Sequence, residues 1–339
     1  MHVEACSERW DFGEARHEPA EHLGRRCMRL STHEGAPLVT VRDLTLEDGT
    51  FEVELAVPPR RSFPGVAWRI LDEESFESFF VRPHQNGNPD AIQYTPVFNG
   101  MSSWQLYHGE GFWNAVELPV GAWFTIRVAF AGAAAEVSID GGPVLGCALR
   151  RSPAAGRIGV QVGAEELWVA GLEYTETRPR VSVPAPVEPT PGAVRTWLVS
   201  DPFPASALDP VRLDLGGRTW ERFEAEPDGL LDLARANPRR GDRDTVFARA
   251  VIRSEDAGVR ALELGFSDRA LVYLGGRALF RGDDAYRSRD YRFLGSIGWY
   301  DTLYVPLEAG DNELVVAVSE DFGGWGVQAR FPEASGLAF

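Results

Sequence analysis

The sequence predicts an all-β protein built from two β-sandwich (jelly-roll) domains that a proline-rich linker joins. Three observations lead to this fold class. Apolar and polar residues alternate over many short segments, glycines and prolines separate these segments, and helical patterns are almost absent. Alternation with a period of two is typical of strands with one buried face, and many such strands between turn residues indicate sandwiches.

The proline-rich segment lies between residues 178 and 194 and contains five prolines in seventeen residues. Proline fixes the backbone φ angle and disfavours helix in the preceding residue, so this segment is expected to be an extended, semi-rigid connector. The predicted domains are therefore residues 1–177 and 195–339, each long enough to bury a core of its own.

The clearest alternation covers residues 49–57, 123–130 and 135–145 in the first half, and 259–267, 270–280 and 312–319 in the second. In the first of these segments apolar residues alternate with Glu52 and Glu54, which predicts a half-buried strand. The pairs Gly141-Gly142 and Gly275-Gly276 predict hairpin turns. The single helix-like candidate is DGLLDLARAN, residues 228–237, which ends before a proline.

The net charge of −16 disfavours two classes of partner. Nucleic-acid binding relies on clustered Lys and Arg, and the same acidity disfavours anionic lipid, so neither a nucleic acid nor a membrane is expected. No segment approaches the roughly 18 apolar residues of a membrane span. The N-terminal segment lacks the apolar core of a secretory signal, which predicts a cytoplasmic location.

Metal-binding patterns are not found in the sequence. The three cysteines, Cys6, Cys27 and Cys147, have no metal-binding spacing and are expected to be free. HEPAEH, residues 17–22, superficially looks like a zinc-binding helix, but its histidines are five residues apart with Pro19 between them. No cofactor is therefore predicted from these residues.

Residues 121–162 resemble the closing half of concanavalin A-like (laminin G-like) jelly rolls. Trp123 precedes a strand carrying RV, a second strand ends in ID, and a GRIGV strand follows. With FPGVAWRI and FESFFVRPH, the resemblance covers about residues 35–176. It implies a sandwich of the kind found in lectins, carbohydrate-binding modules and glucanases.

The second half resembles a galactose-binding-domain-like jelly roll, similar to modules appended to sugar-active enzymes. Residues 245–283 and 307–331 carry this resemblance as a strand, a V-Y-L-x-G hairpin and a G-x-N-E-L segment. Both resembled folds sometimes hold structural Ca²⁺ through carboxylates and backbone oxygens. The candidates here are Asp283 and Asp284, and a solvated acidic turn is the alternative.

Polar and aromatic side chains are concentrated in FFVRPHQNGNPDAIQYTPVFNGMSSWQLYHG, residues 79–109. A strand followed by a turn-rich loop and the extended segments AIQYTPVF and SWQLYHG is expected. Amides, carboxylates and guanidinium groups pair with sugar hydroxyls, and aromatic rings pack on the C–H face of a sugar. The predicted glycan-binding residues are Arg82, His84, Gln85, Asn88, Asp90, Gln93, Tyr94, Asn99, Trp104, Gln105 and Tyr107.

Two other interpretations of this stretch stay open. In a framework role, Asp90 and the asparagines are turn residues, and Arg82 pairs with a neighbouring carboxylate. In an enzyme, His84, Asp90 and Glu77 are the catalytic candidates, since imidazole titrates near neutrality. The E-x-D-x-x-E-like strand that the resembled hydrolases use is absent from the sequence, so a two-carboxylate mechanism is not supported.

The second half offers a further candidate rim in GDDAYRSRDYRFLG and SEDFGGWG. Its predicted members are Tyr286, Arg287, Arg289, Asp290, Asp321 and Trp325, with Tyr291 in the same run. The two glycines before Trp325 predict a tight turn that shows the ring at an end of the sandwich. Alternatively, Arg287 and Arg289 neutralise Glu320 and Asp321 as structural ion pairs.

Three functions follow from these patterns. The first is carbohydrate binding by the first sandwich, which the density of amides in one strand–loop–strand unit favours. The second is a glycan-active hydrolase or lyase that uses His84 and Asp90. The third is a structural or interaction module with a protein partner. The expected cytoplasmic location counts against polysaccharide degradation, which normally takes place outside the cell.

Overall fold

A computed structural model of the chain describes residues 1–182, 184–185, 187–290 and 292–339. Val183 and Pro186 of the predicted linker and Tyr291 of the predicted rim lie outside the described residues. Within the described ranges, the helical elements are three short 3₁₀ turns, Pro83–Gln85, Ala205–Ala207 and Leu233–Arg235. No helix in these ranges has the length and apolarity needed to cross a membrane.

The strands are numbered in chain order. They are β1 (His2–Glu4), β2 (Trp10–Asp11), β3 (Arg16–His22), β4 (Arg25–Ser31), β5 (Leu38–Val41), β6 (Gly49–Ala56), β7 (Gly65–Asp72), β8 (Ser75–Val81), β9 (Ile92–Phe98), β10 (Met101–Ser102), β11 (Trp113–Asn114), β12 (Trp123–Ala131), β13 (Ala134–Ile139), β14 (Gly142–Ala148), β15 (Arg157–Gln161), β16 (Leu167–Thr175), β17 (Thr196–Ser200), β18 (Trp220–Glu224), β19 (Leu231–Asp232), β20 (Thr245–Ser254), β21 (Gly258–Ser267), β22 (Arg269–Leu274), β23 (Arg277–Asp283), β24 (Asp301–Leu307), β25 (Gly310–Ser319), β26 (Gly326–Arg330) and β27 (Leu337–Ala338).

The chain divides into two compact units. The first unit comprises Met1–Gly100 and Tyr107–Ala185, and the second comprises Met101–Leu106 and Pro186–Phe339. Both units consist of antiparallel sheets packed as sandwiches, which confirms the predicted fold class. The role of residues 178–194 as a linker stays a prediction.

The first unit has two sheets. Their strand orders are β14–β13–β12–β6–β16–β4–β3, with β1 on β16, and β9–β8–β7–β15–β5–β2, with β11 on β9. Strand β6 has the predicted alternation, because Phe51, Val53 and Leu55 are fully buried while the glutamates between them are partly exposed. Val53 lies opposite Ile126 of β12 and Leu172 of β16, so apolar faces of three strands meet in register.

The second unit also has two sheets. Their orders are β18–β17–β20–β25–β22–β23, with β27 on β20, and β19–β26–β21–β24. Trp197, Phe266 and Trp325 are fully buried in the core of this unit. The glycine-pair hairpin predicted at residues 275–276 joins β22 to β23.

The helix predicted at residues 228–237 is wrong. Leu231 and Asp232 pair with β26 as a strand, and helical geometry is limited to the single turn Leu233–Arg235. The reason is local hydrogen bonding, because aspartate oxygens capture backbone N–H groups that a helix would use. Asp228 Oδ1 accepts from the N–H of Leu230 at 3.1 Å, and Asp232 Oδ1 accepts from that of Ala234 at 3.0 Å.

Gly159→Ala is expected to destabilise the first unit by about 2 kcal/mol or more, because close-packed backbone has no room for a methyl group. A Cβ on Gly159 of β15 would lie 2.1 Å from the Val39 carbonyl oxygen and 2.9 Å from the Thr40 Cα. Urea-induced unfolding measures the change.

The control is Gly146→Ala in the edge strand β14, where a new Cβ would have no atom within 4 Å. This variant should unfold at the wild-type urea concentration or slightly above it. Equal midpoints for the two variants would contradict the packing described for β15.

Candidate functional site

Arg82 follows β8 and is almost completely buried in the first unit. Its guanidinium group donates to the side-chain oxygen of Gln93 and, at 2.6 Å, to the backbone oxygen of Asp90. The Asp90 carboxylate is farther away, at 4.0 Å. Burial lowers the pKa of Arg82 to about 10, with a smaller opposing effect of Asp90. Arg82 therefore fixes the loop after β8 to β9.

The polar side chains of β9 and the nearby Tyr107 also have their contacts inside the protein. Gln93, Tyr94 and Tyr107 are each at most 1% exposed. Gln93 Nε2 donates to the backbone oxygen of Tyr107 at 2.5 Å, and the Tyr94 hydroxyl accepts from the N–H of Arg150 at 3.0 Å. These residues were predicted to bind a glycan, and the structure corrects that prediction, since they are buried and their polar groups are paired inside the protein.

Glu77 lies on the core face of β8, together with Phe79 and Val81. The Tyr94 hydroxyl donates to its Oε2 at 2.7 Å, while its Oε1 is buried without a hydrogen bond in the described part of the chain. Burial is the main reason that the pKa of Glu77 is raised from 4.5 to about 7. A catalytic role for Glu77 is excluded by this position, because no substrate reaches a fully enclosed carboxyl group.

The predicted residues His84, Gln85, Asn88 and Asn99 lie in turns and contact mainly residues close to them. His84 lies in the 3₁₀ turn, and its ring is edge-on to Phe63 at 5.2 Å. Its Nδ1 is buried without a hydrogen bond among the described residues, and burial is the first cause of its lowered pKa. The Gln85 side chain accepts from Asn88 at 2.5 Å. Asn99 adopts a left-handed turn with φ of 50°.

Segment Met101–Leu106 belongs to the second unit, and Gln105 explains why. Its N–H donates to Gly323 at 3.0 Å, its carbonyl oxygen accepts from Ile297 at 2.9 Å, and its side chain donates to Leu294 at 2.6 Å. The predicted strand SWQLYHG is therefore a turn, and Trp104 and Gln105 are not part of a site on the first sandwich.

Trp104 instead joins the predicted rim of the second unit. Its ring is edge-on to Tyr286 at 6.3 Å and to Phe322 at 5.8 Å, and Tyr286 and Phe322 are 5.8 Å apart. Phe322 is 54% exposed. Trp325 was expected on the same rim but is fully buried, with Nε1 donating to the Val318 oxygen at 3.0 Å. Its side chain fills the core.

Three of the four charged residues of the predicted rim form ion pairs within the described part of the chain. Arg289 contacts both Asp284 and Asp301, the latter at 2.8 Å, and Arg287 lies over the Tyr286 ring at 4.9 Å. The remaining pairs are Asp290 with Arg292 and Asp321 with Arg269. Structural ion pairing is thus the role of Arg289, Asp290 and Asp321, and Arg287 contacts an aromatic ring; in the described ranges neither Arg287 nor Arg289 contacts Glu320 or Asp321 as the alternative expected.

Two buried acids, Asp268 and Glu320, accept hydrogen bonds from the backbone of this rim, and the sequence did not predict these contacts. Asp268 Oδ2 accepts from the N–H groups of Asp321 at 2.6 Å and Phe322 at 2.7 Å, and Glu320 Oε1 accepts from that of Gly324 at 3.2 Å. Burial raises the pKa of Asp268 to about 6 and is also the first cause of the raised pKa of Glu320. Both acids hold the turn that carries Phe322.

The residues proposed for calcium do not fit that role. Asp283 is paired with Arg269 at 3.3 Å and caps the N–H of Ala285, while the Arg289 guanidinium occupies Asp284. A guanidinium group at each carboxylate leaves too few oxygens for the six to eight that Ca²⁺ requires. Across residues 1–182, 184–185, 187–290 and 292–339, no group of three or more His, Cys, Asp or Glu is arranged to hold a metal.

An open cleft of about 490 Å³ lies on the first unit, between β11 and β14. We call it the Trp113 cleft. It is lined by Pro89, Glu110, Gly111, Trp113, Asn114, Ala115, Val144, Leu145 and Gly146. Asn114 Nδ2 donates to the Val144 oxygen at 3.0 Å, which ties the two walls together. The His108 ring is 5.4 Å from the Trp113 ring.

Trp113 and Glu110 were missed because the predicted stretch ends at residue 109. Their segment, EGFWNA, follows directly and carries a signal that was available in the sequence. Aromatic residues that follow closely spaced glycines are typical of a loop that displays a ring. Gly109 and Gly111 indeed have φ angles of 80° and 81°, which favour glycine.

Comparisons with known proteins add only distant similarities. No protein-family model and no curated protein matches the chain. The carbohydrate-binding module CBM66 from Bacillus subtilis superposes with a TM-score of 0.36 at 14% identity, covering 48% of this chain and 91% of its own. A protein with a galectin-like fold from Bacillus subtilis superposes with a TM-score of 0.40 at 11% identity, covering 53% of this chain and 96% of its own. Galectin LEC-6 from Caenorhabditis elegans superposes with a TM-score of 0.30 at 9% identity, covering 43% of this chain and 95% of its own. The assignments to the concanavalin A-like and galactose-binding-domain-like families stay predictions.

Glu77→Gln is expected to remove a pH dependence of stability. The folded protein holds the Glu77 proton up to a pH of about 7, whereas the unfolded chain releases it near 4.5. The contribution of Glu77 is therefore complete below pH 4.5 and is lost as the pH rises to about 7, by about 3 kcal/mol at most.

Urea unfolding at several pH values measures this effect. The stability of the wild type relative to Glu77→Gln should fall between pH 5 and pH 8. Glu34→Gln, at an exposed position, should follow the wild-type curve. Parallel curves for wild type and Glu77→Gln would rule out the raised pKa of Glu77 in the folded protein.

Proposed function

We propose that the chain binds a neutral carbohydrate in the Trp113 cleft of the first unit. The observation that carries this proposal is an open cleft of about 490 Å³ with a half-buried tryptophan and an unpaired carboxylate in its wall. Sugar sites combine an aromatic surface with a few convergent polar groups, and this cleft offers both.

Two polar groups of the cleft, the Glu110 carboxylate and the Trp113 indole N–H, are free to bind a ligand. Glu110 is exposed, and in the described ranges its carboxylate has no hydrogen-bond partner, nor does the indole N–H of Trp113. A carboxylate accepts from two adjacent hydroxyl groups, and an indole N–H donates to a ring or hydroxyl oxygen. Gly146 adds accessible backbone, since a Cβ there would have no atom within 4 Å.

The cleft is held rigidly by the framework around it. Trp113 lies opposite Gln93 in the β9–β11 pair, and the preceding Phe112 stacks on Tyr94 at 6.3 Å. The amide of Asn114 fixes the other wall through Val144. Because these side chains are already ordered, binding loses little conformational entropy.

The charge of the cleft favours neutral sugars. Glu110 brings a negative charge into its lining, and no Arg is among the lining residues. An anionic sugar would therefore meet like charge without a compensating cation. Hydroxyl groups are the better match for this surface.

Binding fits the geometry better than hydrolysis does. Glycoside hydrolysis uses two carboxyl groups on either side of the scissile bond. In the described residues that line the cleft, Glu110 is the one carboxylate. The earlier catalytic candidates do not supply the second, since Glu77 is enclosed in the core and Asp90 is not in the lining.

Trp113→Ala should weaken binding of a neutral glycan about 30-fold, since a central aromatic residue contributes about 2 kcal/mol or more to an interface. A glycan array probed with the full chain identifies the best neutral oligosaccharide, and isothermal titration calorimetry with that compound gives the dissociation constants. Glu110→Gln should weaken binding by a smaller factor.

Trp123→Ala is the matched control, because Trp123 is a half-buried tryptophan of the same unit outside the cleft lining. It should bind like the wild type. Equal losses in both tryptophan variants, or an array without any neutral hit, would refute the proposed site.

A further inference from the structure

Two arginines face each other at the edge of the second unit. Loop residues 209–213 run along the edge strand β23, with the N–H of Leu213 donating to Gly276 at 3.3 Å. This pairing sets Arg212 directly opposite Arg277 as partners in an antiparallel bridge. Side chains at such positions have Cβ atoms about 5 Å apart and lie on the same face. Like charges are thus held close together by the backbone.

Neither guanidinium group lies within ion-pairing or hydrogen-bonding distance of a carboxylate in the described part of the chain. Arg212 and Arg277 form no ion pair or side-chain hydrogen bond there, whereas other arginines of the unit, such as Arg289 and Arg330, contact carboxylates. Two unpaired like charges opposite each other destabilise a strand pair. This arrangement is unusual in a chain with a net charge of −16, where carboxylates are abundant.

Asp209 lies in the same loop but does not neutralise the pair. Its Oδ1 accepts from the backbone N–H groups of Val211 at 2.8 Å and Arg212 at 3.1 Å. These hydrogen bonds are the main cause of its lowered pKa, and the charge of Arg212 contributes less. The carboxylate therefore serves to fix the loop.

The two arginines line an open cleft of about 600 Å³. The other lining residues are Pro210, Val211, Gly276 and Ala278, so apolar side chains and backbone surround the charges. Val211 is 68% exposed. The volume is far larger than a simple inorganic anion needs, and the apolar wall suits the C–H face of a sugar ring.

We propose that this Arg212–Arg277 cleft binds the oxyanion of an acidic saccharide, either a carboxylate or a sulfate. The planar guanidinium fork donates two parallel hydrogen bonds to such groups, and an anion between the two forks relieves their mutual repulsion. Val211 and Pro210 then contact the sugar ring that carries the anion. The site is independent of the Trp113 cleft, which lies on the other unit and takes neutral sugars.

The test uses three tetrasaccharides and the full chain. A hyaluronan tetrasaccharide carries carboxylates without sulfate, a keratan sulfate tetrasaccharide carries sulfates without carboxylate, and its desulfated form is neutral. Calorimetric titration of each is expected to give saturable binding of at least one anionic compound at the arginine site. The anionic compound that binds identifies the oxyanion.

Arg212→Gln and Arg277→Gln should each weaken binding of the anionic tetrasaccharide at least tenfold, because each removes charge-assisted hydrogen bonds. Arg243→Gln is the matched control: it makes the same charge change at an exposed arginine of this unit that has no side-chain partner in the described ranges. Trp113→Ala should leave anion binding unchanged, which separates this site from the neutral-sugar cleft.

Two results would overturn the proposal. One is the absence of saturable binding by both anionic tetrasaccharides. The other is an equal loss in Arg243→Gln, which would mean that overall charge rather than the paired arginines attracts the ligand. Thermal unfolding of each variant shows that folding is intact, as expected for substitutions at exposed side chains.

Discussion

Most polar side chains that are buried on β8 and β9, or directly next to them, are paired inside the protein, and this pairing decides which residues remain free for a ligand. An unmet buried donor or acceptor costs about 1–3 kcal/mol, so a site that left several of them waiting for a sugar would unfold easily. Arg82 is therefore bound to Gln93, and Glu77 to Tyr94. Arg82, Gln93 and Tyr94 are thus buried and unavailable to a ligand.

The same pairing builds the Trp113 cleft. Gln93 Nε2 donates to the carbonyl oxygen of Tyr107, and the N–H of Tyr94 donates to that of Phe112 at 2.7 Å. Both ends of loop 107–112 are thereby anchored to β9. The next residue, Trp113, pairs with β9 and carries its ring into the open cleft. Framework hydrogen bonds thus position the Trp113 ring and leave its indole N–H free in the described part of the chain.

Strands and hairpins could be predicted from the sequence, because alternation and glycine turns are local signals. Alternation did not indicate that Glu77 is buried, because apolar residues lie on both faces of β8 and both faces are covered. The hydrogen bonds of Gln105 could not be predicted, since its partners Ser267 and Leu294 are 162 and 189 residues away in the sequence. A periodic pattern tells which side chains share a face, but it does not tell what covers that face.

A net charge of −16 is compatible with the proposed anion site. Electrostatic effects of remote charges are screened, whereas the two arginines contact the ligand directly. Exposed charges are largely screened beyond about 8 Å at physiological ionic strength, so remote carboxylates hardly act at the edge of the second unit. What a ligand meets there is the local pair Arg212 and Arg277, surrounded by short apolar side chains. Net charge therefore argues against a long polyanion, which would extend onto the acidic surface. It does not argue against a single carboxylate or sulfate that ends at the two guanidinium groups.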